Sequence, residues 1–178
     1  MHQQSTFRYA DHSHAQVLEL PYVGKRLSMI VVLPKKKGGL AELEKDLTAE
    51  KLRKLVAGAS PRKVKVWLPK FKLESRFDLK AQLQKLGMPT AFSDRADFRG
   101  MEPKRLLKIS KVIHQANCDV AEEGTVAAAA TAVIMTKRGG RARPAPIPEF
   151  KADHPFLFLI RDAKTGVILF LGRMAQPK

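Results

Sequence analysis

The sequence predicts an α+β fold, made mostly of β-strands with a few short helices and one long exposed loop. Short apolar runs bounded by turn residues indicate buried strands, and two pairs of these runs are joined by segments typical of hairpin turns. Leucines at helical spacing beside capping residues indicate the helices. With 178 residues and 44% hydrophobic content, the chain can bury the core of one domain.

The first half of the chain is predicted to alternate between strands and short helices. Thr48 has the hydroxyl and the position of a helix N-cap, and Pro69 ends a stretch in which charged and apolar residues alternate. In chain order the predicted elements are a hairpin of residues 16–22 and 27–33 across the turn 23–26, a helix over 40–46, a helix over 49–56 and a strand over 63–68.

The second half is predicted to contain one helix, one long strand and a second hairpin. Leu79, Leu83 and Leu86 lie at helical spacing within residues 78–86, and Gly87 follows as a C-terminal stop. A long strand is predicted from Leu106 to Val120. The closing hairpin joins residues 156–161 to residues 167–171.

After the long strand comes a stretch of very small residues. Glu122 and Glu123 precede Gly124, and no charge interrupts the twelve residues from Thr125 to Thr136. Alanine favours helix, whereas the threonines and Val133 favour extended chain. A strand able to enter an existing sheet needs small or apolar residues on both faces, and this stretch has them. From the residues alone, a helix, a flexible linker and an insertable strand all stay open.

Residues 137–148 are basic and rich in glycine and proline, which predicts an exposed irregular loop. Exposed tips of this composition are where proteases cut. A trypsin-like pocket selects lysine or arginine through a buried carboxylate. A cleavable basic loop therefore follows a segment that could become a strand.

Several motifs together resemble the serpin family of protease inhibitors. Residues 122–131 are similar to the hinge of the serpin reactive-centre loop, and the other family-like segments occur in the family's order. These segments are residues 18–22, 27–34, 64–71, 153–161 and 168–174, so the resemblance covers nearly the whole chain. Serpins are roughly twice this length, and the match begins in the middle of the family pattern.

The resemblance implies that residues 1–178 are the C-terminal part of a single serpin domain, with the hinge and reactive-centre loop at 122–148. The expected architecture is serpin sheets B and C plus the late strands of sheet A, with a few short helices. The N-terminal half of the same serpin is an expected partner. We expect the fragment alone to be an inactive inhibitor, because most of the sheet that receives the inserted strand would be absent.

The resemblance implies an inhibitor of serine endopeptidases, not an enzyme, with no cofactor and no metal. In serpins the protease attacks the loop and forms an acyl-enzyme, and the hinge then inserts into the main sheet and distorts the protease. Residues facing inward on insertion would be Thr125, Ala127, Ala129 and Thr131, while Val126, Ala128 and Ala130 would face outward. The family resemblance favours an extracellular location but does not fix the compartment.

Serpins typically place the scissile bond fourteen residues after the hinge glycine. Counting from Gly124 gives the bond Arg138–Gly139, and hence a trypsin-like target. Basic residues at 137, 141 and 143 compete for this role, since the segment before Pro155 is longer than in common family members. Glu122 matches the acidic residue that tethers the top of the sheet by a salt bridge. His114 matches the serpin shutter region, where we expect a hydrogen-bonded core histidine.

The charge of the chain is extreme for a globular domain, with 33 Lys and Arg against 17 Asp and Glu and a formal net charge of +16. Such a surface attracts polyanions, such as sulfated glycans. The residues predicted to bind them are Lys51, Arg53, Lys54, Arg62 and Lys63. An acidic N-terminal half that balances the charge is the competing interpretation. A non-inhibitory serpin-like chaperone or carrier, and a basic polyanion-binding module, stay open as alternative functions.

Three minor features carry no catalytic or targeting prediction. Cys118 is the single cysteine, so an intrachain disulfide is excluded. Its side chain is predicted to be a small buried group. His12 and His14 could share a strand face, but no further ligand spacing supports a metal site. No apolar run reaches the ~20 residues that a membrane-spanning helix needs.

Overall fold

In the computed structural model, which describes residues 1–104, 107–121 and 146–177, strands predominate over helices. The hinge and the predicted scissile bond, within residues 122–145, lie outside the described residues. The chain divides into two compact units, Met1–Phe71 with Val120–Lys178, and Lys72–Asp119. The prediction of an α+β fold made mostly of strands with a few short helices is confirmed.

The larger unit contains a seven-stranded sheet in the order β7-β4-β1-β2-β3-β8-β9. All neighbouring pairs with a described register are antiparallel except β4 and β7, which run parallel. The strands are β1 (His2–Asp11), β2 (Ala15–Pro21), β3 (Leu27–Pro34), β4 (Ser60–Trp67), β7 (Glu149–Lys151), β8 (Phe156–Asp162) and β9 (Ile168–Met174).

The hairpin of β2 and β3 forms where the sequence predicts it. Gly24 and Lys25 have positive φ angles of 79° and 55°, which the tight turn requires and which glycine adopts without strain. The amide of Tyr22 donates to the carbonyl of Leu27 at 2.9 Å and closes the hairpin. Because both strands lie in the middle of the sheet, most of their side chains are buried on both faces, as their largely apolar sequence predicts.

Two short helices, α1 (Leu40–Asp46) and α2 (Ala49–Ala57), follow β3. The Thr48 hydroxyl accepts a hydrogen bond from the amide of Lys51 at 3.2 Å, so the predicted N-cap is confirmed. Leu40, Leu55 and Val56 of the helices join one buried cluster with Val17, Ile30, Val32 and other sheet residues. The apolar face of each helix thus covers one face of the sheet.

An aromatic group supports the same sheet around β8. Phe156 and Phe158 are buried, and the ring of Phe71 lies 6.0 Å and 5.3 Å from their centroids. Gly172 of β9 pairs directly with Phe158 across the strands. A Cβ placed on Gly172 would lie 2.5 Å from Phe158 Cζ, so this position has space only for glycine.

One carboxylate is buried inside the sheet. Glu19 of β2 accepts hydrogen bonds from Ser28 Oγ at 2.7 Å and from Arg161 Nη2 at 2.9 Å. Arg8 Nε lies 3.2 Å from its other oxygen. Burial raises the pKa of Glu19, but the bonds from Ser28 and Arg161 and the two positive charges outweigh burial and hold the pKa below its usual range.

The turn between β8 and β9 is organised by Asp162. Its carboxylate accepts from the amides of Lys164 at 2.8 Å and Thr165 at 2.9 Å, and from Arg26 Nε at 3.0 Å. The Thr165 amide, followed by Arg26, lowers the pKa of Asp162 from 3.8 to about 2. The ionised form of this side chain therefore stabilises the folded state.

We expect Asp162→Asn to lower the melting temperature at pH 7 by at least about 2 °C, because the charged acceptor is lost. Since the folded pKa is depressed, this stabilisation is present above about pH 4 and is lost as pH falls toward about 2. Calorimetry between pH 2 and pH 7 measures the difference between the two proteins. A difference that stays constant over that range would contradict the assigned role.

The smaller unit consists of two strands and short helical turns. Strands β5 (Phe71–Asp78) and β6 (Ile113–Val120) form a two-stranded sheet, with α3 (Lys80–Lys85) and a 3₁₀ turn at Thr90–Phe92 between them in sequence. Gly87 has a φ of 103° and ends the helix as predicted.

The predicted strand from Leu106 to Val120 is wrong in its described first part, because β6 begins at Ile113. The amide of Ile109 donates to the carbonyl of Ala91 at 3.0 Å, and Lys108 Nζ lies 2.6 Å from Asp94. These bonds hold residues 108 and 109 beside the 3₁₀ turn, so this stretch does not extend β6.

Strand β9 forms one edge of the seven-stranded sheet and carries unusual apolar exposure. Its four consecutive residues from Ile168 to Leu171 are 44% to 61% exposed. Successive side chains of a strand point to opposite faces, so both faces of β9 present apolar groups. A long apolar edge strand of this kind is a ready template for pairing with another segment.

Candidate functional site

The structure describes the chain on both sides of residues 122–145, which contain the predicted hinge and scissile bond. Strand β6 ends at Val120, and the chain is described again from Pro146, just before β7. Within β7, Glu149 and Phe150 pair with Lys65 and Val66 of β4. The Gln16 side-chain amide also donates to the Glu149 carbonyl at 3.2 Å. The C-terminal end of the segment is therefore fixed to the edge of the large sheet.

A stacked aromatic group marks this attachment. The rings of His2 and Trp67 lie 4.6 Å apart at 19°, and Lys151 Nζ lies 4.9 Å from the Trp67 ring centroid. The carbonyl of Trp67 accepts from the amide of Ala152 at 2.9 Å. These partners of Trp67 could not be predicted from the sequence, because β1 and β7 were not predicted as strands.

Two lysines share the carboxylate of Glu149. Lys151 Nζ lies 2.7 Å from one oxygen and Lys65 Nζ lies 3.8 Å from the other. Lys151 first, and Lys65 with it, lower the pKa of Glu149. These pairs are exposed to solvent, so each contributes little to stability. Only the pair with Lys65 joins two strands, β4 and the strand that follows the predicted bait loop.

His114 lies on β6 with an exposed side chain, so the expectation of a buried core histidine is not met in this chain. The two-stranded sheet leaves it without cover from further described strands. Cys118, on the same strand, is half-buried. Burial, followed by the charge of Asp119, raises the pKa of its thiol, which lowers its reactivity.

The five predicted polyanion-binding residues are all exposed in the large unit. Lys51, Arg53 and Lys54 lie on α2, and Arg62 and Lys63 lie on β4. Lys54 forms a 2.8 Å pair with Glu50 one helical turn earlier, and Lys51 lies 3.8 Å from Asp46. Exposed ion pairs of this kind are weak, so an anion can replace the carboxylates and bind the lysines.

His12 and His14 make hydrogen bonds to nearby protein atoms in the part of the chain that the structure describes. No group of three or more His, Cys, Asp or Glu suited to a metal exists among residues 1–104, 107–121 and 146–177. His12 Nε2 instead donates to the Leu55 carbonyl at 3.0 Å, and His14 Nδ1 lies 2.8 Å from Ser13 Oγ. Within the same described ranges, no helix has the length and apolarity needed to cross a bilayer.

Comparison with known proteins gives one consistent result. The family model described as Serpin (serine protease inhibitor) matches residues 1–177. Serpin B8 of Homo sapiens is 48% identical over 172 residues, covering 95% of this chain and 45% of the relative. The leukocyte elastase inhibitor of Bos taurus is 46% identical over 177 residues, covering 96% of this chain and 46% of the relative.

Solved structures show the same likeness. Uncleaved ovalbumin aligns with a TM-score of 0.83 and 34% identity, covering 99% of this chain and 44% of the other. A tumour suppressing serpin aligns with a TM-score of 0.80 and 34% identity, covering 99% and 46%. The chain therefore spans about half the length of the relatives that it matches.

Proposed function

Because this chain belongs to the serpin family, we propose that it supplies the C-terminal half of a serine protease inhibitor that traps trypsin-like enzymes. The small-residue hinge at 122–131, followed by the basic loop, carries the proposal. The name of the 46% identical leukocyte elastase inhibitor supports an inhibitory role. The exposed apolar edge of β9 supports a second segment that completes the fold.

The proposed reaction begins as ordinary proteolysis. The protease serine attacks the carbonyl of Arg138, the bond to Gly139 breaks, and the Gly139 amine takes the proton and leaves. The carboxyl of Arg138 is then held as an ester on the protease serine. Insertion of the hinge as a strand pulls on this ester and distorts the protease before water can release it. The chain acts as a suicide substrate and catalyses no reaction of its own.

The N-terminal half is part of this proposal, since the receiving sheet requires it. We use the term assembled protein for this chain joined to, or mixed with, an N-terminal half of the kind its relatives carry. The bait residue is proposed as Arg138, with Lys137, Arg141 and Arg143 as the competing positions.

Insertion itself is tested by Thr131→Arg in the assembled protein. Thr131 would face inward, and burying an arginine there carries a large desolvation cost. Hydrolysis of the ester on the protease should therefore be faster than insertion of the strand. We expect covalent trapping of trypsin to fall at least about tenfold while cleavage of the loop continues. The measurement is the number of inhibitor molecules consumed for each trypsin inactivated.

Ala130→Arg is the matched control for this change. Its side chain would face outward on insertion, so trapping should stay within about twofold of the parent protein. If both arginines were tolerated equally, or both abolished trapping, strand insertion would not be the inhibitory step.

A second function, binding of a polyanion, is favoured by the exposure of all five predicted basic residues. The replacement of Arg53 and Arg62 by glutamate should lower the salt concentration that elutes the protein from immobilised heparin. Glutamate at Lys85 and Lys111, which are exposed in the smaller unit, is the control with the same change in charge. If the eluting salt concentration fell equally in both variants, net charge alone would explain the retention on heparin.

A further inference from the structure

A cleft of about 680 Å³ lies within the large unit, between the two helices and the end of the sheet. Its walls come from one face of α1, one face of α2, the turn between β1 and β2, and the residues that follow β3. This volume is in the range of small-molecule sites in proteins.

The floor of the cleft is apolar. Leu55 is buried in the core cluster of the large unit, and the half-buried Leu43 and Leu47 pack against that cluster. Because these side chains are anchored in the core, the floor keeps its shape whether or not the cleft is filled. It offers a hydrophobic ligand a preformed surface.

The rim of the cleft is mainly positive. Four lysines line it (Lys35, Lys36, Lys51 and Lys54), against two carboxylates (Glu42 and Asp46), and Lys51 Nζ lies 3.8 Å from Asp46. Lys35 pairs with Asp11 at 2.7 Å, and Lys54 pairs with Glu50 at 2.8 Å. Lys36 has no ion-pair partner among the residues that the structure describes. An anionic group would complement this rim.

The histidine wall is held in place before any ligand binds. His12 Nε2 donates to the Leu55 carbonyl at 3.0 Å. The ring packs so closely on Gly58 that an added Cβ there would lie 2.9 Å from His12 Cε1. His14 lies on the same wall, 2.8 Å from Ser13 Oγ. A wall fixed in this way lowers the ordering cost of binding.

We propose that this cleft binds a small amphipathic anion, with an apolar aliphatic or aromatic body and one carboxylate or sulfonate head group. The body lies on Leu43, Leu47 and Leu55, and the head group meets the ammonium groups of Lys36 and Lys51. The cleft shares Lys51 and Lys54 with the predicted polyanion surface, whereas Arg53, Arg62 and Lys63 do not line it. The proposal does not depend on the inhibitory function.

Two fluorescent probes of nearly the same shape test the head group. The anion 1-anilinonaphthalene-8-sulfonate and the neutral N-phenyl-1-naphthylamine differ by the sulfonate. We expect the 178-residue chain to bind the anion at least about tenfold more tightly, because only the anion meets the rim lysines. Equal affinities would overturn the assignment of the rim.

Charge reversal locates the site. The double variant K36E/K51E should weaken binding of the sulfonate about tenfold or more, while K85E/K111E, with the same change in net charge, should stay within about twofold. Equal weakening in both variants, or none in either, would overturn the proposal. Matching melting temperatures and circular dichroism spectra establish that each variant is folded.

Methyl NMR separates the cleft from other apolar surfaces. On titration with the sulfonate we expect the methyl signals of Leu43, Leu47 and Leu55 to shift together and to saturate. Leu169 and Leu171 on exposed β9 serve as the comparison, because a hydrophobic dye also binds such an edge. Shifts confined to β9 would overturn the proposal even if fluorescence increased.

Discussion

Replacement of Arg138 by alanine is expected to slow the trapping of trypsin by the assembled protein about 30-fold to more than 1,000-fold. The trypsin pocket holds its basic residue against a buried carboxylate, and alanine leaves that carboxylate unpaired. The second-order rate of loss of trypsin activity measures the effect. Because the change removes only the bait side chain, the fold and the hinge stay intact.

Two neighbouring arginines provide the control for Arg138→Ala. Arg141→Ala and Arg143→Ala should each leave the rate of trapping within about threefold of the parent protein. If Arg141→Ala abolished trapping and Arg138→Ala did not, the count from Gly124 would be wrong and the bait residue would lie later in the loop. The inhibitory mechanism would survive that result, but the assignment of the bond would not.

Replacement of Gly172 by alanine is expected to destabilise the large unit by about 1–3 kcal/mol. The new Cβ would lie 2.5 Å and 2.6 Å from Phe158 Cζ and Cε1. The Phe158 ring is only 2% exposed and packs against Phe71, so it has little room to move. Urea unfolding followed by circular dichroism measures the change in the free energy of unfolding.

A second glycine-to-alanine change, at a position with free space, distinguishes overpacking against Phe158 from a general effect of alanine. Gly38→Ala meets no atom within 4 Å and needs no positive φ angle, so its free energy of unfolding should change by less than about 0.5 kcal/mol. In a Phe158→Leu background the cost of Gly172→Ala should fall, because the ring atoms that it meets are gone. Strictly additive effects in the double variant would contradict this contact as the cause.

The sequence predicts the elements whose apolar residues are buried or whose ends carry a specific cap. Strands β2, β3 and β8 are largely apolar, and helix α2 begins after the predicted Thr48 cap. In these segments the local preference and the final packing agree. The helix over 40–46 matches its predicted bounds for the same reason.

The elements that the sequence does not predict depend on distant partners. Strand β1 is mostly polar, and only Phe7, Tyr9 and Ala10 in it are buried. Its extended conformation therefore depends on hydrogen bonding to β2 and β4. Strand β7 has three residues and exists through its pairing with β4. No periodicity develops over such a length. Tertiary hydrogen bonds determine these strands.

The basic residues of the candidate surfaces could be predicted, but their grouping could not. Lys51 and Lys54 were predicted to bind an anion because of their charge, and both are exposed in the structure. That Lys51 shares a cleft with His12, Lys36 and Leu47 follows only from the packing of α1 and α2 beside the turn of β1 and β2. Spacing along the chain contains no signal for that arrangement.

Intact mass spectrometry of trypsin mixed with the assembled protein tests the central claim most directly. The proposal predicts a covalent complex, stable in sodium dodecyl sulfate, in which trypsin carries the chain ending at Arg138. It also predicts that the peptide from Gly139 to Lys178, which contributes β7, β8 and β9 to the sheet, separates from this complex only on denaturation. Free active trypsin with a fully cleaved chain, and no covalent complex at any ratio of the two proteins, would contradict the proposal.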